Sequence, residues 1–171
     1  MSKKLVYSFD PYIKVYTENF KQNDKLIKNF HKIKLLDGTM VILEDNDKIL
    51  LCKEYRRAFN KFVWSLPGGV VEKKYSPLNT IKKELFEETG IKGKKWKFLK
   101  KFKRHGNYDC GTDYVYFSKK LSQIDKSEFP KKNLHWISLS KIKEIIAKDK
   151  FLTPGVISAL YFYLLYKNKY I

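Results

Sequence analysis

Cysteine, glycine, proline and acidic residues are all in short supply in this 171-residue chain. Two cysteines, Cys52 and Cys110, exclude a disulfide-dense scaffold and a zinc site built on four thiolates. Eight Gly and five Pro exclude collagen-like and low-complexity chains. No apolar run approaches bilayer-spanning length. The longest, Val156 to Tyr166, is about half of the roughly 20 residues a span requires. The first residues, Met1-Ser2-Lys3-Lys4, open no apolar stretch of the kind a signal peptide carries. The expectation is a soluble, reduced, cytoplasmic protein with no membrane association.

Hydrophobic residues are plentiful at 43%, with 16% aromatic, so the chain can bury a sizeable core despite 32% charged residues. The length fits one domain, residues 1–171. Lys and Arg number 36 against 18 Asp and Glu, a net charge of +18 that favours anionic partners. The lysines are spread along the whole chain and accompany abundant Asn, Ile, Tyr and Phe. They read as solvated surface more readily than as a dedicated nucleic-acid face, so nucleic acid is not the favoured partner. Arginine is rare, at Arg56, Arg57 and Arg104. Where Lys is the default cation, an Arg is there for its planar bidentate fork, and Arg56-Arg57 stand side by side.

Alternating segments predict strands at Tyr12 to Phe20, Phe30 to Leu36, Met40 to Glu44, Ile49 to Cys52 and Phe62 to Leu66. Asp37-Gly38 and Asp45-Asn46-Asp47 read as hairpin turns, and Pro67-Gly68-Gly69 as a strand stop. A central helix has signals at both ends: Ser76 as N-cap, Pro77 at the first position and Gly90 just past the end. Leu78, Ile81 and Leu85 share one apolar face of it. Strands follow at Trp96 to Phe102, Asp113 to Phe117 and Leu134 to Ile137. Then come a short helix capped by Ser140 and a last helix opened by Pro154. This order predicts an α+β fold with helices packed on a mixed sheet.

Glu84, Glu87 and Glu88 fall at i, i+3 and i+4 on the central helix and share a face distinct from the apolar one. Three like charges so close repel one another unless a cation neutralises them, and carboxylates are ligands a hard divalent ion such as Mg²⁺ prefers. The cluster ends at Thr89-Gly90-Ile91 and follows Leu66-Pro67-Gly68-Gly69.

The stretch from Gly69 to Ile91 resembles the Nudix box: Gly, five residues, Glu, seven residues, then Arg-Glu-apolar-x-Glu-Glu-x-Gly-apolar. Gly69, Glu84, Leu85, Glu87, Glu88, Gly90 and Ile91 match. Tyr75 replaces the first Glu and Lys83 replaces the Arg. The resemblance implies an α/β/α sandwich with a mixed sheet and hydrolysis of a diphosphate linkage. It implies that Glu84, Glu87 and Glu88, with the Gly68 carbonyl, hold Mg²⁺ or Mn²⁺. Tyr75 and Lys83 would weaken the support of these glutamates, a change that commonly costs about 10- to 100-fold. Glu72 is a candidate substitute acid.

The flanks, Glu54 to Phe59 and Trp64 to Gly69, are similar to those of the ADP-ribose pyrophosphatase group, and Asp10 to Val15 is similar to the start of its N-terminal β extension, here residues 1–37. That group implies a nucleoside diphosphate substrate such as ADP-ribose or a nucleotide sugar, and a homodimer. It implies Arg56 or Arg57 gripping the diphosphate or the terminal ribose, Gly69 against the substrate, and Trp64 or Tyr12 stacking on the base. The general base would be Glu128 on a late loop that also holds Asp125, or else Glu87 or Glu84. Asp109 to Tyr114 is similar to a loop of GDP-mannose hydrolases, which makes His105 another candidate base. Two alternatives stay open: a non-catalytic nucleotide-binding module, and a hydrolase acting on RNA ends or nucleoside triphosphates.

Overall fold

The structure is a computed structural model, and it describes residues 3–106, 108, 110–124, 133–147 and 153–170. β1 (Lys3–Phe9), β2 (Ile13–Gln22) and β3 (Lys25–Leu35) form an antiparallel three-stranded sheet. A seven-stranded sheet is built from β4 (Gly38–Asp45), β5 (Lys48–Arg56), β6 (Lys61–Ser65), β7 (Gly68–Val70), β8 (Ile91–Lys103), β9 (Thr112–Gln123) and β10 (Asn133–Ser138). Its main path runs β10-β5-β4-β9-β8, and β4 lies parallel to β9 while the other pairs are antiparallel. The sheet is therefore mixed. Helices α1 (Pro77–Thr89), α2 (Leu139–Ala147) and α3 (Pro154–Lys167) complete the fold.

Strand alternation sorts the core onto two faces. Val41, Leu43, Leu50 and Tyr116 pack with Ile81 and Leu85 of α1. Ile42, Ile49, Leu51, Val115 and Phe117 pack with Ile142 of α2 and Val156, Leu160 and Tyr163 of α3. Helices on both faces of a mixed sheet give the α/β/α sandwich and the α+β class expected.

The β4–β5 hairpin turns on Asn46-Asp47, whose φ angles of 47° and 58° suit the tight turn that strand twist favours. The two strands pair only at Glu44–Ile49 and Asp45–Lys48, then part. β6 continues along β5 from Cys52 to Arg56, and β7 pairs with Gly38 to Met40 of β4. The Val41 N–H donates to the Pro67 carbonyl at 3.0 Å. The Pro67-Gly68-Gly69 segment is thus wedged between diverging strands. It does not simply stop a strand, since Gly68–Val70 begins a new one.

Other local expectations differ too. Asp37-Gly38 is a corner between the two sheets, not a hairpin. The Asp37 carboxylate accepts from the Thr112 N–H at 2.8 Å, and its carbonyl accepts from the Val71 N–H at 2.8 Å. The β2–β3 hairpin turn of the first sheet is Asn23-Asp24, with φ of 48° and 61°. Helix α2 is capped by Ser138, whose Oγ accepts from the Lys141 N–H at 3.4 Å, and not by Ser140.

One carboxylate is buried in this core. Glu44, 5% exposed, accepts hydrogen bonds from the Tyr163 hydroxyl and, at 3.2 Å, from Lys167 Nζ, with Lys119 Nζ at 3.5 Å. Burial pushes its carboxyl up, but the bonds from Tyr163 and Lys167 outweigh that and hold it below the ordinary value. A lowered carboxyl stabilises the fold above the unfolded value of 4.5, and this contribution is lost as pH falls through the folded value. Glu44→Gln is expected to cost about 1–3 kcal/mol at neutral pH by urea denaturation. The gap from the parent should close as pH drops below 4.5; a gap independent of pH would contradict the ionised pairing.

Candidate active site

Helix α1 forms because its ends are fixed. The Ser76 hydroxyl accepts from the Asn79 N–H at 3.2 Å, and Pro77 presets the first φ. At the far end Gly90 adopts φ 69°, a left-handed angle that suits Gly, and its N–H donates to the Phe86 carbonyl at 2.8 Å. Ile81 and Leu85 are fully buried, so the helix cannot rotate about its axis. That lock fixes where Glu84, Glu87 and Glu88 project. All three lie in its C-terminal half, where the last turn contains no basic residue. The helix dipole is negative there, so backbone and side chains disfavour one another.

The wedge meets this acidic face. The Gly68 N–H donates to Glu88 Oε2 at 3.3 Å. A Cβ at Gly69 would stand 2.5 Å from Glu84 Cδ and 2.7–2.8 Å from its oxygens, so only a glycine leaves the carboxylate where it is. Glu84, Glu88, Gly68 and Gly69 line one cavity of about 810 Å³ together with Pro11, Tyr12, Leu36 and residues 70–74. Tyr12 sits at the β1–β2 turn, where its N–H donates to the Phe9 carbonyl and its ring stacks on Phe9 at 6.1 Å. The extension thus supplies an aromatic wall.

Glu87 is not among the residues lining that cavity. Lys83 Nζ lies 3.6 Å from Glu87 and 3.4 Å from Glu72, and it stands 5.7 Å above the Tyr75 ring. Where the box pattern pairs an Arg with a Glu at position 75, this chain pairs Lys83 with Glu72 three residues earlier. The hydrogen bond between them raises the Lys83 ammonium and lowers the Glu72 carboxyl, each relative to its ordinary value.

Among the described residues, no three Asp, Glu, His or Cys side chains are gathered closely enough to hold a metal ion by themselves. Two carboxylates on one cavity wall, Glu84 and Glu88, nevertheless fit Mg²⁺. That ion keeps several waters and takes one or two carboxylates plus substrate phosphates in preference to a full protein cage. The glycine cradle against Glu84 and the Gly68–Glu88 bond are the observations behind this fit.

Other expected residues lie elsewhere. Arg56 pairs with Glu54 at 2.6 Å, and neither it nor Arg57, in a single 3₁₀ turn, lines the cavity. Trp64 packs against the α2/α3 core, edge-on to His135 at 5.1 Å, and lines a separate cavity of about 500 Å³ with Trp136. Of the two candidate stacking rings, Tyr12 is therefore the one placed at the box. His105 packs on Tyr108 at 4.8 Å. Asp125 and Glu128 lie outside the described residues. Sequence reasoning passed over Lys73 and Lys74, which line the cavity; their place just after Gly69 and ahead of the Ser76 cap was the available signal. Arg104, the third of the rare arginines, pairs with the buried Asp113 at 2.9 Å.

Fold and site together define a class: an α/β/α sandwich in which a glycine wedge holds helix carboxylates at the wall of a nucleotide-sized cavity. Residues 34–154 match the family model described as the NUDIX domain, and the chain belongs to the Nudix family. It is 27% identical over 96 residues to the methanol dehydrogenase activator of Bacillus methanolicus, covering 53% of this chain and 52% of that one. It is 28% identical over 100 residues to the ADP-ribose pyrophosphatase of Bacillus subtilis (strain 168), covering 54% of each. The chain spans about half the length of these curated relatives. A crystal structure of an ADP compounds hydrolase superposes with a TM-score of 0.82, at 15% identity, over 99% of this chain and 93% of that one, a likeness of fold.

The Lys83 contacts can be tested by titration. Glu72→Gln should bring the Lys83 ammonium back towards 10.5 in an NMR titration. Glu87→Gln should do so less, because the Glu72 hydrogen bond is the larger cause. The reverse order would show that Lys83 belongs to Glu87.

Proposed function

We propose that this chain is a divalent-metal-dependent hydrolase that cleaves the diphosphate linkage of a nucleoside diphosphate derivative, ADP-ribose or a nucleotide sugar. The observation that carries this reading is the shared cavity wall: Glu84 and Glu88, held by Gly68 and Gly69, face the same space as Tyr12, Lys73 and Lys74. Its volume of about 810 Å³ suits a ligand of that size. The names of the relatives support the substrate class. The chain acts as one domain over residues 1–171, with residues 1–37 as its extension.

Glu84, Glu88, the Gly68 carbonyl and, from the helix face beside them, Glu87 would hold Mg²⁺ or Mn²⁺. Such an ion supplies Lewis-acid charge to the diphosphate oxygens and lowers the pKa of a bound water. The chain's own residues do the rest. Gly68 N–H orients Glu88. Lys83 offsets the charge of Glu87, so three glutamates tolerate one another. Lys73 and Lys74 attract the diphosphate, and Tyr12 offers its ring to the base. Glu87 or Glu84 takes the proton of the attacking water, and Glu128 remains a third candidate. One P–O bond of the diphosphate breaks, giving a nucleoside monophosphate and a sugar phosphate. Arg56 or Arg57, neither of which lines the cavity, is proposed to grip the terminal ribose at the substrate's outer end. The exposed Leu5, Val6, Tyr7, Phe9 and Leu26 of the first sheet support a homodimer joined through the extension.

The experiment is hydrolysis of ADP-ribose, GDP-mannose, NADH, dinucleoside polyphosphates, nucleoside triphosphates and capped RNA with Mg²⁺ or Mn²⁺. Turnover of one class is expected, with kcat down by about 100-fold or more in Glu88→Gln. Gly69→Ala should fold within about 1 kcal/mol of the parent, because a flexible carboxylate can swing aside. It should still lose about tenfold in rate, because Glu84 is displaced. Absence of turnover across the panel, with nucleotide binding retained without metal, would instead make Tyr75 and Lys83 the marks of a binding module.

A further inference from the structure

The seven-stranded sheet ends on β8, whose outer edge no described strand covers. Seven of its thirteen residues are Lys, and all seven are exposed. No Asp or Glu occurs from Gly90 to Tyr108. Among the described residues, no carboxylate pairs with Lys92, Lys94, Lys95, Lys97, Lys100 or Lys101. These seven lysines, with no acidic residue among them, stand along one edge roughly 40 Å long at about 3.3 Å per residue.

Aromatic rings interrupt this edge. Phe98 is 47% exposed and rests edge-on against Tyr116 at 5.5 Å, so one side of its ring faces solvent. Lys97 Nζ lies 4.3 Å from the Tyr166 ring, and Lys82 Nζ 5.9 Å from that of Trp96. Register shifts at Lys92/Gly93, Lys94/Lys97 and Phe98/Lys100 fan the lysines to both sides of the edge. Ammonium groups contact phosphates as point charges without reading sequence. An exposed ring among them offers a base a surface to stack on. A lipid surface would want the apolar side chains gathered on one side, and here they alternate with the lysines.

We infer that the β8 edge binds single-stranded nucleic acid through its phosphates, with Phe98 as a stacking face, without sequence preference. The inference does not depend on the substrate of the box cavity.

The test is fluorescence anisotropy with a labelled oligouridylate of about twelve nucleotides, across a series of KCl concentrations. The K94E/K97E/K101E variant should weaken binding at least about tenfold at low salt. It should also reduce the salt slope by about 2, from roughly 0.7 per lost phosphate contact. A control with the same change of net charge on the first sheet, K21E/K25E/K28E, should change binding far less. Phe98→Ala should weaken the oligonucleotide about fivefold or more while leaving inorganic polyphosphate binding unaltered. Should the triple reversal fail to fold, K94Q/K97Q/K101Q carries the same comparison. Equal losses in both triple variants would overturn the inference in favour of net charge alone. So would no oligonucleotide binding, an unaltered Phe98→Ala, or preference for vesicles of phosphatidylcholine and phosphatidylserine.

Discussion

Two register pairs, Glu44–Ile49 and Asp45–Lys48, are all that β4 and β5 share before they diverge. Each backbone donor and acceptor along the remaining lengths needs another partner, because β4 and the Ile49–Cys52 half of β5 are buried and unpaired groups there cost about 1–3 kcal/mol each. β6 and β7 satisfy them, one along β5 and the other along β4. The chain connecting β6 to β7 is thereby forced into the gap between the strands. That is why Gly68 and Gly69 arrive beneath α1, and why one N–H is spare to bind Glu88 and one Cα is bare enough to admit Glu84. The site is a by-product of how the sheet completes its hydrogen bonds.

Electrostatics then decides what such a site can hold. Glu84, Glu87 and Glu88 crowd the negative end of a helix dipole, with no basic residue in the last turn. The chain relieves Glu87 locally, through Lys83 bridging to Glu72. It leaves Glu84 and Glu88 on a cavity wall. Replacing an Arg–Glu pair by Lys83–Glu72 exchanges a bidentate fork for a point charge at 3.4 Å. The neutralising role survives, while the geometric control of the neighbouring glutamate is looser. This is the physical content of the departures at Tyr75 and Lys83.

The helix and its carboxylates were legible because their signals are local: Ser76, Pro77 and Gly90 act within one turn, and the i, i+3, i+4 spacing fixes a face without knowledge of the fold. The alternating strands and the mixed-sheet class were legible for the same reason. What was not legible depends on partners distant in sequence. Asp37-Gly38 has the composition of a hairpin turn, but Asp37 is claimed by Thr112 and Val71, and the strands on either side enter different sheets. Ser138 and Ser140 are chemically equivalent caps, and only the path of β10 selects the first. Trp64 and Arg56 precede the box in sequence, yet strand alternation on β6 sends Trp64 to the opposite face, and Glu54 occupies Arg56. The glutamates at 84 and 88 needed no such information, since both ride on one rigid helix.

The cationic edge brings the two halves of the charge distribution together. A sheet edge needs protection against pairing with another chain, and bulges with one or two lysines suffice for that. β8 already has three register shifts and a positive φ at Lys95, which break the edge without any charge. Seven lysines exceed what protection requires, and their mutual repulsion costs stability. The surplus is therefore best accounted for by attraction at a distance. Any phosphate-bearing ligand approaching α1 meets the repulsion of Glu84 and Glu88 at short range. A field from +18 net charge, dense along β8 and present again at Lys73 and Lys74, offsets that repulsion before contact. A carboxylate-walled cavity in a chain of opposite overall sign can thus attract anions globally and still reserve its wall for a cation.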